Sequence, residues 1–127
     1  MTFSFGNRSK ERLNGVHPDM VKVMEEAIKE SPLDFSITEG LRTRERQQEL
    51  FSAGKSQTMN SRHLTGKAVD IAVIKDGTVT WDFSQYQIVA DHIKGVATKL
   101  GIPLVWGGDW VSFRDGPHFE LNKSKYP

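Results

Sequence analysis

The stretch SRHLTGKAVD, residues 61–70, constrains this chain more than any other. His63 and Asp70 stand seven positions apart with Gly66 between them. On a continuous helix they would share a face yet sit about 10 Å apart along the axis. A single zinc ion needs both donor atoms at roughly 2 Å. If the two residues serve one ion, the chain must turn between them, and Thr65-Gly66-Lys67 offers that turn. The run that follows, AVDIAV, alternates as a strand does. Val69, Ile71 and Val73 fall on one side, and Ala68, Asp70 and Ala72 on the other. Branched side chains suit a core, whereas two alanines beside a carboxylate suit the floor of a cleft.

Helical spacing of Met20, Val23, Met24, Ala27 and Ile28 predicts a helix over 18–30, with Pro18 in its first turn. Phe35-Ser36-Ile37-Thr38 reads as a short strand. Thr43 is placed to cap a second helix through Gln47, Leu50 and Phe51, closed by Gly54. The polar run 55–62 reads as a loop, and Asp76-Gly77 as a tight turn. A long helix is expected from about 82 to 100, with Tyr86, Val89, Ile93, Val96 and Leu100 on its apolar face and Gly101 beyond its end. Residues 104–106 and 118–121 read as further strands. The fold class is therefore α+β: a small, mostly antiparallel sheet flanked by helices.

With 127 residues, a single domain over 1–127 is expected, with one core and no separate second module. Seventeen basic residues nearly balance sixteen acidic ones, and no basic stripe points to nucleic acid. Cysteine is absent, so any transition-metal site must be built from His, Asp and Glu. Neither a signal peptide nor a membrane span is visible. The expectation is a chain made in the cytoplasm that reaches any target beyond the membrane through another agent.

Of the four histidines, His17 precedes Pro18 at a helix start and reads as a cap or surface residue. His92 reads as the flank of the long helix. His63 and His118 have carboxylates at useful offsets. His118 opens the strand HFEL, which directs Glu120 to the same face and Phe119 and Leu121 into the core. Asp115 lies upstream of His118 across Gly116-Pro117, a pair that bends the chain and can return Asp115 toward the imidazole. His63, Asp70 and His118 together make two histidines and one carboxylate, the ligand set of catalytic zinc sites that keep a fourth position open. A non-haem iron facial triad uses the same ligand types, but the six residues between His63 and Asp70 fit that arrangement poorly.

These residues also carry a family likeness. SRHLTGKAVDIA resembles the S-x-H-x-x-G-x-A-x-D signature of the zinc D,D-carboxypeptidase-like peptidases. GLRTRERQQEL resembles the family's G-x-R-[ST] stretch followed by glutamine, and VWGGDWVSFRDGPHFEL its C-terminal block. With FSFGNRSKERLNGVHPDM upstream, the pattern is similar to the L-alanyl-D-glutamate peptidases of phage endolysins and bacterial cell-wall turnover. The resemblance implies a zinc peptidase fold of the D,D-carboxypeptidase and hedgehog-like type. It implies one Zn2+ on His63, Asp70 and His118, Asp115 as general base, Arg42 at the oxyanion, and Ser61 and Gln47 along the cleft. Several relatives carry Glu where this chain has Asp115, so the shorter side chain must approach more closely or act through water. Asp109 reads either as a partner of a zinc-bound histidine or as a turn residue. Glu120 reads as an orienting partner for His118.

The implied function is zinc-dependent hydrolysis of the L-alanyl–D-glutamate bond in peptidoglycan stem peptides, in the manner of a phage endolysin. A monomer is expected, dependent for access to the wall on a membrane-perforating partner of the holin type. Two rivals stand beside it. A D,D-carboxypeptidase trimming D-alanine would use the same metal chemistry, and a catalytically silent wall-binding module would keep zinc as a structural element. The silent module would be expected to lose its base or its arginine, and this chain has both Asp115 and Arg42.

Overall fold

Strand β2 (Ala68–Lys75) is the centre of the molecule, and its alternation decides what lies on each side. The computed structural model describes residues 2–56, 58–112 and 114–127. Gln57 of the expected polar loop and Phe113 of the C-terminal block lie outside the described residues. The element order begins with α1 (Asn7–Arg12), α2 (Pro18–Lys29), β1 (Asp34–Glu39) and α3 (Arg44–Ser52). A 3-10 turn at Arg62–Thr65 leads into β2, followed by β3 (Thr78–Thr80), α4 (Phe83–Leu100), β4 (Leu104–Trp106) and β5 (His118–Leu121).

The sheet runs β1-β2-β5-β4, with β3 paired to the far end of β2. Every pairing among the described residues is antiparallel. On one face Val69, Ile71 and Val73 join Phe35, Ile37, Phe119, Leu121 and Trp106 in the core. Helices α2 and α4 cover that face with Met20, Val23, Met24, Tyr86, Val89 and Ile93, all buried. The other face carries Asp70, His118 and Glu120. The α+β class and antiparallel sheet agree with the expectation.

Local chemistry explains the boundaries. His17 Nδ1 accepts from the Asp19 amide at 3.1 Å and caps α2 ahead of Pro18. Thr43 caps α3 through the Arg46 amide, and Asp82 caps α4 through that of Ser84. Gly101 ends α4 in the left-handed region. Asp76 and Gly77 both adopt positive φ, which suits the tight hairpin joining β2 to β3. His92 on α4 bonds the Ala27 carbonyl at 2.8 Å, tying α4 to α2.

Two elements went unread in the sequence. Strand β3 has three residues and is mostly exposed, so it shows little alternation. Helix α1 is short and polar, and its role is tertiary. The register of β1 against β2 slips between Ile37 and Glu39, a bulge that leaves backbone groups unpaired. From α1, Ser9 Oγ accepts the Ile37 amide at 3.0 Å and Arg12 donates to the Ile37 carbonyl at 3.0 Å.

Candidate active site

The sheet register brings the first two site residues together. Asp70 on β2 pairs with His118 on β5, and Glu39 on β1 pairs with Asp70 from the other side. The bulge in β1 turns Glu39 onto this face. His63 arrives from the 3-10 turn, whose N-cap is Ser61; the Ser61 hydroxyl accepts from the His63 amide at 3.2 Å. Gly66 then reverses the chain at φ 71°. A Cβ there would stand 2.4 Å from the Gly15 carbonyl oxygen, so glycine is required both by conformation and by close packing.

Asp70 Oδ1 lies 3.3 Å from His63 Nε2 and 3.2 Å from His118 Nδ1. One donor atom from each of the three residues falls within 4.8 Å of the others, a group able to hold a metal ion. The remaining ring nitrogens are engaged. His63 Nδ1 stands 2.9 Å from the Gly40 carbonyl, which only accepts, so Nδ1 carries a proton and Nε2 is the nitrogen turned toward Asp70. His118 Nε2 donates to Glu120 Oε1 at 2.8 Å, leaving Nδ1 to face Asp70. Trp110 packs on the His118 ring with centroids 5.1 Å apart.

The electrostatics follow from these contacts. Burial by itself would raise Asp70, but hydrogen bonds from His118 and His63 outweigh it and hold the carboxyl well below the usual range. Burial likewise opposes a charged His118, yet its bonds to Asp70 and Glu120 lift its pKa to about 9. Glu120 is lowered: the His118 hydrogen bond and charge prevail over desolvation.

Asp115 lines the same cleft, of about 1080 Å³. Its amide donates to the Gly107 carbonyl at 3.1 Å, and its carbonyl accepts from the His118 amide at 3.1 Å. The Trp106 indole holds the bend by donating to Gly116 O at 2.7 Å. Gly107 sits so near that a Cβ would stand 2.4 Å from Asp115 O and 3.1 Å from the Cβ of His118. Burial first, then the charge of Asp70, push the Asp115 carboxyl above its ordinary value, against the pull of His118, His63 and Arg42.

Arg42 is nearly buried and held on three sides. Nε pairs with Glu39, Nη1 donates to Gln47 Oε1 at 2.7 Å and to Ser61 Oγ at 3.4 Å, and Nη2 lies 3.7 Å from Asp70 Oδ2. Gln47 is fully buried, and its amide nitrogen donates to Ser56 Oγ at 2.8 Å and to the Thr58 carbonyl. Thus Gln47 joins α3, Arg42 and the loop before Ser61. Of the residues singled out from the sequence, Asp109 stands apart, exposed and paired with Lys94 of α4.

Sequence reasoning missed Glu39, the Gly40 carbonyl and Trp110. The interval of three between Glu39 and Arg42 was a weak signal. Regular alternation along β1, in step with Phe35 and Ile37, would have turned Glu39 toward the core.

A two-histidine, one-aspartate cluster beside an antiparallel sheet, with a further carboxylate lining the same cleft, defines a metallopeptidase-like site. Comparison with known proteins gives it a family. The phage L-alanyl-D-glutamate peptidase family matches residues 1–122. The L-alanyl-D-glutamate peptidase of Escherichia phage T5 is 33% identical, over 99% of this chain and 94% of the phage protein. The peptidoglycan L-alanyl-D-glutamate endopeptidase CwlK of Bacillus subtilis is 32% identical, over 84% of this chain and 73% of its own length. The crystal structure of the Serratia marcescens L-Ala D-Glu endopeptidase ChiX superposes with a TM-score of 0.92 at 45% identity, covering all of this chain and 94% of that one. The chain belongs to the phage L-alanyl-D-glutamate peptidase family, and it is a peptidase.

Proposed function

We propose that the chain is a zinc-dependent endopeptidase that hydrolyses the L-alanyl–D-glutamate bond of peptidoglycan stem peptides. The observation that carries this reading is the convergence of His63, Asp70 and His118 with both outer ring nitrogens already engaged. Four ligands about 2.0–2.1 Å from zinc at tetrahedral angles stand roughly 3.3–3.4 Å from one another. The separations of 3.3 and 3.2 Å from Asp70 to the two imidazoles match that spacing, and all three donor atoms lie within 4.8 Å of one another. A hard octahedral cation would favour more oxygens.

Bound there, zinc supplies Lewis acidity, which lowers the pKa of water from 15.7 toward about 7. The chain's own residues do the rest. Asp115 accepts the proton of the attacking water and returns it to the leaving amine; its raised pKa suits both halves of that exchange. Arg42, fixed by Glu39, Gln47 and Ser61, keeps its Nη2 edge toward the cluster and faces the developing oxyanion. Glu120 and the Gly40 carbonyl fix the imidazole orientations. Asp109 has no part in this scheme.

The whole of 1–127 is read as one peptidase domain, supported by a core that runs from Phe5 to Leu121. A lytic role is supported by the relative from Escherichia phage T5; access to the wall through a holin-type partner belongs to the same reading. Among the described residues no helix is long and apolar enough to cross a membrane. The test is digestion of purified wall by metal-stripped protein. Stripping should abolish release of peptide, and one equivalent of zinc per chain should restore it; undiminished digestion by demonstrably metal-free protein would refute the reading.

A further inference from the structure

We propose that Arg114 selects the substrate by pairing with the free carboxylate of the residue on the leaving side of the scissile bond. The inference rests on the peptidase reading above and concerns which stem peptides that site accepts.

Three of the cleft's acids are engaged within the protein. Glu39 is held by Arg42, Asp70 by two histidines and Glu120 by His118. Two of its cations are also occupied, since Arg42 pairs with Glu39 and Arg62 lies 3.9 Å from Glu120. Arg114, Lys55 and Lys123 line the cleft too. Among the described residues none of these three has a carboxylate within 4.0 Å. The cleft therefore presents unspent positive charge to whatever enters it.

Position singles out Arg114. It directly precedes Asp115, the group assigned to hand a proton to the leaving amine. Its guanidinium lies over the Phe83 ring, 5.3 Å from the centroid. Such a contact restrains the side chain while leaving its N–H donors free. Phe83 in turn packs at the Gly116 bend, one residue beyond Asp115. Lys123 lies beyond the end of β5, and Lys55 in the loop after α3.

Substrate chemistry supplies the partner. The leaving amine belongs to a glutamate, whose two carboxyl groups cannot both continue the chain. A free α-carboxylate stands two bonds from the leaving nitrogen, and a free side-chain carboxylate four. Either places an anion beside the nitrogen that Asp115 serves. Arginine meets a carboxylate with two parallel N–H donors, whereas a neutral amide in the same place opposes N–H to N–H.

The experiment uses two stem peptides that differ only in this group, one a free carboxylate and one its primary amide. Cleavage by the full chain, by Arg114→Gln and by Lys123→Gln is measured as kcat/KM. Arg114 is exposed, so its replacement leaves the core untouched. The unaltered chain should prefer the carboxylate by on the order of tenfold. Arg114→Gln should lower kcat/KM on the carboxylate peptide and bring the ratio toward one, while Lys123→Gln keeps the ratio. Equal cleavage of both peptides by the unaltered chain, an unchanged ratio in Arg114→Gln, or a ratio lost only in Lys123→Gln would overturn the proposal. Failure to cut either peptide between L-alanine and D-glutamate would instead overturn the functional reading beneath it.

Discussion

Asp70 and His118 face each other across the β2–β5 ladder, Oδ1 to Nδ1 at 3.2 Å, and Glu120 holds the opposite side of the imidazole at 2.8 Å. The imidazole lies between two carboxylates, and without a metal that arrangement favours its protonated form. The pKa of His118 rises from 6.5 to about 9, so the native state holds this proton more tightly than the unfolded chain. The resulting stabilisation is complete below pH 6.5 and is lost as pH rises through about 9. Metal-stripped protein should therefore melt at progressively lower temperature between those limits, and Glu120→Gln should flatten the trend. A melting temperature independent of pH across that window would contradict the assignment.

Replacing Asp115 separates the base from the metal group. Asp115→Asn should keep its fold and its zinc, yet lose a factor on the order of 10²–10⁴ in rate. Glu120→Gln should cost less, chiefly through weaker metal affinity. Metal analysis alongside turnover checks both. A dead Glu120→Gln variant with zinc bound, beside a near-normal Asp115→Asn, would transfer the role to Glu120.

Arg42 and Gln47 should fail in different ways. Arg42→Ala should retain zinc and lose rate, and Arg42→Lys should not restore it, because an ammonium cannot span Glu39, Gln47 and Ser61 at once. Gln47→Ala leaves buried polar partners unsatisfied, costing about 1–3 kcal/mol of stability. Its rate should fall as well, since the Arg42 anchor and the loop before Ser61 loosen together. Denaturant melts and steady-state kinetics on the same preparations distinguish the two.

Gly66→Ala tests the turn that delivers His63. The positive φ and the approach of Gly15 O both oppose a Cβ, so the variant should lose more than about 1 kcal/mol in stability. Metal affinity should fall with it, because His63 lies in the turn that Gly66 closes. A variant as stable as the parent would show that the turn tolerates rearrangement.

Much of this site could be read before folding was considered. The alternation of AVDIAV placed Asp70 opposite the core side chains, and HFEL did the same for His118 and Glu120, because strand periodicity is a local property. Helices α2, α3 and α4 were likewise legible from spacing and caps. Glu39 was not, since a bulge changes which face a residue occupies and is set by pairing with β2 and by Ser9 and Arg12 of α1. Trp110 against His118 and the Gly40 carbonyl against His63 are tertiary contacts with no periodic trace. Asp109 illustrates the converse: proximity in sequence to the C-terminal motif did not bring it into the cluster, because it pairs with Lys94 on α4.

The most direct measurement is mass spectrometry of purified muropeptides after digestion, with zinc present and with zinc removed. The account predicts a new amino terminus on D-glutamate, with L-alanine left on the glycan side, and no such product once the metal is stripped. Release of free D-alanine as the sole product, or the same D-glutamate terminus from metal-free protein, would contradict it.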